Sequence, residues 1–377
     1  WADTSRETYY GSGGDPNAYG STENPLWIVD AQFNQGLGSH TLTWGAQYST
    51  DELDDQQPAY DRLIEDTYTN LGIYLQDDWV LAKGWELVFG ARIDDFSELD
   101  SSIVSPRAAL MWSPTPLVNV RASVAQGFRG PQVFDEDLHI TQVGGEGQVI
   151  RNDPGLEEER SLNCVLGLEW TPLMAGGVGL VEVALFRTEL RDLFLVIEDD
   201  DASTDEVEFT RVNHGGAQVE GWELNLGWAK SDDLRFQLGW VSKRSEMDEA
   251  DPDFGSRKFF RTPDNYGLAS VLFRPLDDLE LWLGLRYTGE MVAPHYAGWI
   301  DEDRLETTPD FLTLDARAAI EFPLLAEPTT RLRLAVGGRN LSNEYQEDLD
   351  QGAERDSGYV YGPRMPRSWY ATLGFVF

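Results

Sequence analysis

The sequence contains a single cysteine, Cys164, among its 377 residues. One cysteine excludes a disulfide framework within the chain. No run of about 18 or more apolar residues occurs, which excludes a transmembrane α-helix. Basic residues are also scarce: 29 Lys and Arg stand against 66 Asp and Glu, a formal net charge of −37. This excess of negative charge argues against nucleic acid as a partner, because a phosphate backbone attracts cations and repels carboxylates.

Recognisable catalytic motifs are absent as well. The four histidines (His40, His139, His214 and His295) stand beside no nucleophile motif, and neither G-x-S-x-G nor H-E-x-x-H occurs. Two carboxylates suffice for glycosidase chemistry, but a chain with so many acids always offers pairs, so their presence carries no signal. The sequence therefore favours a protein that is not an enzyme, with an outer-membrane hydrolase as the other class considered.

The chain is rich in segments where apolar and polar residues alternate. Read backward from Phe377, every second residue is apolar: Phe375, Leu373, Ala371 and Trp369. Period two indicates a β-strand with two unlike faces. The same alternation recurs in residues 222–228, 279–287, 312–322 and 331–336. Either a soluble sandwich or a barrel in lipid produces this pattern, so length and repetition have to separate the two.

Strand and turn units run through residues 1–377 without a break in composition, which predicts a single domain. Tight turns rich in Gly, Pro and Asp alternate with long segments. These long loops are 51–66, 128–160, 199–207, 246–261, 295–309 and 345–366. A barrel with one periplasmic and one external rim produces this alternation. We therefore predict an all-β fold, a transmembrane antiparallel up-and-down β-barrel in the bacterial outer membrane. It has about 15 strands, or about 16 if residues 1–10 form the upper end of another.

Several motifs in residues 67–377 resemble those of TonB-dependent outer-membrane receptors, in particular siderophore receptors of the ferrienterochelin and colicin type. Gly127-Phe-Arg-Gly-Pro131 is similar to the family's G-F-R-x-P, where a strand enters a long external loop. Two motifs depart from the family pattern: Glu158 stands where proline is usual, and Ser342 replaces an aromatic residue. The remaining similar segments are 74–79 (Y-x-Q-D-x-W), 105–107 (S-P-R), 152–160 (N-P-x-L-x-P-E-x), 213–223 (N-x-G-x-A-x-x-x-G-x-E) and 340–345 (N-L-F-D-x-x-Y).

The resemblance implies a function and a larger molecule. Members of the family have a barrel of about 22 strands filled by an N-terminal plug, so we expect this chain to be the C-terminal barrel portion, without the plug and first strands. The resemblance implies uptake of a scarce ligand, with a ferric siderophore as the favoured one. The TonB complex, acting through the plug, would drive this uptake. Haem, cobalamin and oligosaccharide receptors and a passive porin remain alternatives. Outer-membrane lipid, lipopolysaccharide and the barrel-assembly machinery are further expected partners.

Candidate ligand residues lie in the long loops. Arg129 and Arg151 flank the longest loop and are candidates for an anionic ligand, although Arg129 also fits a salt bridge at the barrel rim to Asp135 or Glu136. The aromatic pairs Tyr296 with Trp299 and Tyr359 with Tyr361 are candidates for stacking on an aromatic chelate, with loop packing or an interfacial girdle as the other interpretation.

Three further expectations concern charge, metal and assembly. Lumenal arginines and carboxylates of neighbouring strands should form ladders of opposite charge, which either stabilise the wall or hold a plug. No cofactor is expected, although clustered loop carboxylates are compatible with Ca²⁺. Because a terminal strand ending in aromatic residues is typical of barrel proteins, Phe377, Phe375 and Leu373 are expected to form the C-terminal barrel-assembly signal.

Overall fold

The computed structural model describes residues 1–9, 19–58, 62–138, 148–198, 207–323 and 330–376. No helix among these residues is long and apolar enough to cross a membrane. The strands are β1 (Ala2–Tyr9), β2 (Tyr19–Leu37), β3 (His40–Gln57), β4 (Arg62–Ala82), β5 (Trp85–Phe96), β6 (Ile103–Thr115), β7 (Val118–Arg129), β8 (Gln148–Asn152), β9 (Glu159–Trp170), β10 (Leu173–Met174), β11 (Gly177–Glu198), β12 (Val207–Ser231), β13 (Leu234–Met247), β14 (Asn265–Leu276), β15 (Leu279–Thr288), β16 (Val292–His295), β17 (Arg304–Thr307), β18 (Phe311–Pro323), β19 (Arg331–Arg339) and β20 (Ser368–Val376).

Eighteen strands form one sheet, in which each long strand pairs antiparallel with the next long strand of the chain. The two short exceptions are β8, which runs parallel to β12, and β10, which pairs only with the start of β11. Without these two, sixteen strands remain in an up-and-down meander, which confirms the predicted architecture and strand number. The predicted strand within residues 1–10 is β1, paired with the upper part of β2. Among the described residues, β1 and β20 do not pair with each other.

One end of the sheet is built from two-residue turns, at 38–39, 83–84, 116–117, 175–176, 232–233 and 277–278. Left-handed backbone at Gly38 (φ 66°) and Gly84 (φ 79°) suits such tight hairpins, because glycine has no Cβ to oppose a positive φ. Four register shifts occur between long strands, at 80/82, 112/115, 229/231 and 273/276, and each adjoins one of these turns. The long loops lie at the opposite end.

The predicted loop 51–66 is wrong in extent. Strand β3 continues to Gln57 and β4 begins at Arg62, with an uninterrupted ladder from Asp51 opposite Tyr68 to Gln57 opposite Arg62. Alternation does not predict these strand ends, because this part of the hairpin carries polar residues on both faces. The β3–β4 hairpin therefore extends beyond the apolar part of the wall, together with the upper part of β2 and with β1.

The two faces of the wall differ as the alternation predicts. Leu75, Leu283, Val336 and Leu373 are exposed on the apolar face. On the opposite, lumenal face, three arginines converge on Glu280, with nitrogen–oxygen distances of 2.6 to 2.8 Å; they are Arg274, Arg317 and Arg333. The expected contacts between opposite charges are thus present on the lumenal face. The apolar side chains lie on the opposite face of the wall.

Buried side chains concentrate at the long-loop end. One group contains Leu53, Tyr68, Phe134 and Leu138, each below 9% exposed. A second group contains Met291, Ala293, Phe311 and Tyr359, which are equally buried. The loop end thus contains small packed cores, whereas the apolar side chains of the spanning wall are exposed.

Candidate ligand site at the loop rim

Residues 131–138, the start of the longest loop, lie against the lumenal face of the wall. The Tyr68 hydroxyl of β4 accepts a hydrogen bond from the Val133 amide at 2.9 Å and donates one to Asp66 at 3.1 Å. Arg62, also on β4, donates to the Asp137 carbonyl oxygen at 2.9 Å. The other side of the segment is fixed to β12, which lies six strands away along the sheet order. We call residues 131–138 the inward segment.

A buried ion pair holds the inward segment to β12. The Arg211 guanidinium donates to both Asp137 carboxylate oxygens, at 2.5 and 2.8 Å, and both side chains are at most 3% exposed. Arg211 also donates to Asn152 at 3.0 Å and lies over the Phe134 ring. A bidentate pair in such a dry setting fixes geometry as well as charge.

Arg129 contributes to the same cluster. Its guanidinium lies 3.6 Å from the centroid of the Phe134 ring and 3.6 Å from a carboxylate oxygen of Glu159. The expected salt bridge at the rim is therefore present, but its partner is Glu159; the side chains of Asp135 and Glu136 lie outside the described residues. Arg151 lies on β8, and its side chain is exposed. Ligand contacts by Arg129 and Arg151 stay predictions.

The second cluster joins the β16–β17 hairpin to the loop 345–366, and we call it the loop clamp. His295, 4% exposed, ends β16, and its Nε2 lies 3.1 Å from both carboxylate oxygens of Asp350. Its ring stacks on Tyr359 with centroids 3.7 Å apart. Its Nδ1 is 3.7 Å from Glu306 of β17. These contacts fix the hairpin to the loop.

Asp348 organises the loop from within. The hydroxyls of Tyr359 and Tyr361 donate to its two carboxylate oxygens at 2.9 and 2.5 Å. Burial opposes ionisation of Asp348, but the hydrogen bonds from Tyr361 and Tyr359 outweigh it and hold the pKa of Asp348 below its usual range. Burial, followed by hydrogen bonding to Asp348, raises the pKa of both tyrosines. The three groups thus favour one protonation state: phenols neutral, carboxylate ionised.

The two aromatic pairs predicted to stack on a chelate differ in how accessible their rings are. Tyr359 is 3% exposed with one ring face covered by His295, so in this conformation it packs the loop and presents no face to a chelate. Tyr361 makes an edge contact with Tyr359. In contrast, Tyr296 and Trp299 at the tip of the β16–β17 hairpin are 43% and 55% exposed. The structure therefore leaves this second pair accessible, and chelate stacking by all four stays a prediction.

Tyr296 and Trp299 lie in acidic surroundings. The rings of Tyr296 and Phe254 meet edge to face, with centroids 5.5 Å apart. The backbone amide of Tyr296 donates a hydrogen bond to the Asp356 carboxylate at 3.0 Å. Burial and the nearby carboxylates of Asp253 and Asp251 raise the pKa of Tyr296. Residues 301–303, all acidic, follow Trp299 and have exposed side chains.

Two further expectations concern metal and the terminal strand. Within the described ranges, no group of three or more His, Cys, Asp or Glu is placed to hold a metal ion, and Ca²⁺ at the loops stays a prediction. Phe375 and Leu373 lie exposed on the apolar face of β20, at 56% and 65%. Phe377 lies outside the described residues. The role of these three residues in assembly also stays a prediction.

Sequence reasoning missed the residues that anchor the loops. Arg211 and Asp137 are 74 residues apart, and no local motif links them. His295 and Asp350 are likewise brought together only by the packing of two loops. The one available signal was His295 itself, a histidine beside Pro294 at the start of the predicted loop 295–309. Histidine so placed is compatible with many roles, so this signal alone was too weak to identify a partner.

The family model for the TonB-dependent receptor-like β-barrel matches residues 1–341. Among curated proteins, the iron-regulated outer membrane virulence protein of Vibrio cholerae serotype O1 is 26% identical over 269 residues, which are 68% of this chain and 40% of that protein. The chain thus spans less than half the length of this relative.

Solved structures share the fold. The ferric enterobactin receptor PfeA of Pseudomonas aeruginosa superposes with a TM-score of 0.72 at 18% identity, over 99% of this chain and 57% of that one. The FrpB iron transporter of Neisseria meningitidis gives 0.70 at 18% identity, over 99% and 58%. At this identity the likeness establishes the fold alone. With the family match over residues 1–341, the chain belongs to the TonB-dependent receptor-like β-barrel family of the bacterial outer membrane.

Proposed function

We propose that this chain forms the wall and external loops of a receptor that takes up a ferric siderophore with energy supplied by TonB. The observation that carries the proposal is membership of the TonB-dependent receptor family, whose members here include an iron-regulated relative. The loop rim supports it, because it holds accessible aromatic rings on a hairpin fixed by the loop clamp. Binding groups on a rigid support lose little entropy when a ligand binds.

The described wall also favours a receptor over a passive pore. The inward segment crosses the lumenal face between β4 and β12 and is held there by a buried ion pair. A segment fixed in this way narrows the space on the lumenal side of the wall. A receptor that binds before it transports does need ordered structure there.

The test is uptake of radiolabelled ferric chelates by cells that carry the full-length receptor as their only outer-membrane iron receptor. We expect saturable uptake that disappears in a strain lacking TonB. Haem, cobalamin and an oligosaccharide serve as competing ligands in the same cells. Uptake that persists without TonB would establish the passive porin, and TonB-dependent uptake of one of the other ligands alone would reject the siderophore.

A further inference from the structure

The six segments predicted as long loops carry most of the net charge of the molecule. Residues 51–66, 128–160, 199–207, 246–261, 295–309 and 345–366 contain 34 acidic and 10 basic residues, so they account for 24 of the 37 excess negative charges. The described parts of these segments lie at the end of the sheet opposite the two-residue turns. A ligand arriving at this rim therefore meets a strongly negative potential, which attracts cations and repels anions over about 10 Å.

Four arginines around the β16–β17 hairpin make hydrogen bonds or an ion pair within the protein. Arg257 donates to the Met247 carbonyl oxygen at 2.7 Å, and Arg261 donates to the Gly358 carbonyl oxygen at 2.6 Å. Arg304 pairs with Glu306, and Arg355 donates to the Gly352 carbonyl oxygen at 2.7 Å. These four are among six basic residues in the loops 246–261, 295–309 and 345–366, which also hold 14 acids. These contacts hold the arginines in place, and the carboxylates outnumber the basic residues in these loops by 14 to 6.

Accessible aromatic rings lie within this acidic region. Tyr296 and Trp299 are 43% and 55% exposed on the hairpin tip. Asp356 accepts a hydrogen bond from the Tyr296 amide at 3.0 Å, and Asp251 accepts one at 2.9 Å from the amide of Phe254, whose ring contacts Tyr296. An aromatic face with carboxylates beside it is the chemistry that recognises an ammonium group, through cation–π attraction and ion pairing.

We infer that the hairpin tip selects a positively charged chelate, with a pendant ammonium group bound between the Tyr296 and Trp299 rings and the surrounding carboxylates. This inference rests on the proposed uptake of a ferric siderophore and names the charge class of that ligand. The carboxylates that confer it are Asp253, Asp301 and Glu302, together with Asp251. The shared fold with a ferric enterobactin receptor carries no information on this charge, since the identity is 18%.

The test uses one chelate in three charge states. The ferric complex of a linear trihydroxamate with a free amine is positive, its N-acetyl derivative is neutral and its N-succinyl derivative is negative, while the iron centre stays the same. Binding to the full-length receptor is measured by titration in detergent, at low and high salt. We expect the positive form to bind about tenfold more tightly than the negative form, and high salt to reduce this ratio.

Variants locate the selectivity. The triple variant Asp253→Asn, Asp301→Asn, Glu302→Gln should reduce the ratio of the two affinities by about fivefold, since each exposed charge contributes modestly. Trp299→Ala should weaken the positive form by about two- to fivefold, the range of an exposed cation–π contact, and leave the negative form nearly unchanged. Asp277→Asn, in a two-residue turn at the other end, is the matched control and should change neither affinity.

The outcomes separate the two proposals. Equal or tighter binding of the negative form would overturn the charge inference and leave siderophore uptake standing. A preference for the positive form that survives the triple variant would also overturn it, because the selectivity would then lie elsewhere. If none of the three chelates binds, while haem, cobalamin or an oligosaccharide does, the siderophore function fails and the charge inference fails with it.

Discussion

At the scale of single residues, the loop rim depends on a few polar side chains that satisfy one another. Asp348 accepts hydrogen bonds from two tyrosines, His295 lies between two carboxylates, and Arg211 is paired with Asp137. In each of these contacts, a polar or charged group is shielded from water and bonds to a protein partner instead. A buried polar group left without its partner costs more than the pair contributes, so single substitutions at these positions should be informative.

The hydroxyl of Tyr359 provides one such test. Tyr359→Phe keeps the ring stacked on His295 but removes the hydrogen bond to Asp348, and we expect the free energy of opening of the loop 345–366 to fall by about 1 to 2 kcal/mol. Hydrogen exchange in this loop, followed by mass spectrometry, measures the change. Tyr345→Phe is the control, since Tyr345 is 46% exposed. Equal effects of the two variants would contradict the role of the hydrogen bond.

The group formed by Asp348, Tyr359 and Tyr361 predicts how the stability of the loop 345–366 changes with pH. Because the pKa of Asp348 is lowered, its stabilising effect is present above the ordinary carboxyl pKa of about 4 and is lost as pH falls through the lowered value. Because the pKa values of Tyr359 and Tyr361 are raised, their contribution is complete below about 10 and is lost as pH rises through the raised values.

Hydrogen exchange corrected for intrinsic rates should therefore show increased loop opening at both extremes of pH. In Asp348→Asn the loss at acid pH should disappear, since an amide does not titrate there. An unchanged acid profile in this variant would assign the titration to another group.

At the scale of elements, the inward segment joins two strands that are far apart in the sheet. Its attachment to β12 depends on one ion pair, whereas its attachment to β4 uses two hydrogen bonds. We expect Arg211→Met to destabilise the packed segment by about 3 to 5 kcal/mol, because Asp137 is left as a buried charge without a cation. Increased hydrogen exchange of residues 131–138 in the full-length receptor reports the effect.

The matched control removes both charges together. The double variant Arg211→Met, Asp137→Leu should recover most of the protection, since neither residue then leaves a charge uncompensated. If the double variant exposes the segment as much as the single one, the ion pair supplies attachment of its own and the unpaired charge is not the cause.

Element by element, the sequence predicted the wall better than the rim. Alternation identified the spanning part of strands such as β15 and β20, because one face of each has to meet an apolar medium. It failed for the upper part of β3 and β4, where polar residues stand on both faces and only a few side chains, such as Leu53 and Tyr68, are buried. The sequence also left both ligand stacking and loop packing open for Tyr359, because no local pattern reveals that His295, far away in sequence, covers its ring.

At the scale of the whole molecule, the two faces of the wall experience different solvents. The apolar face holds Leu279 beside a two-residue turn and Leu283 in the middle of β15. We expect Leu283→Arg to reduce the folding free energy of the full-length receptor in bilayers by about 2 to 4 kcal/mol, and Leu279→Arg by about 0 to 1 kcal/mol, because the cost of a charge depends on depth. Urea titration of both variants in lipid vesicles measures the difference, and equal costs would contradict the assigned membrane position.

The position of the register shifts has a consequence for how this chain tolerates insertions and deletions. Each shift adjoins a two-residue turn, so the ladder is continuous where the wall is apolar. In a strand, adding one residue exchanges every following side chain between the faces. An odd insertion at mid-strand would therefore turn arginines towards lipid, and an even one would preserve parity. Length changes of either parity should be accepted only at the hairpin ends, where the chain already absorbs an extra residue.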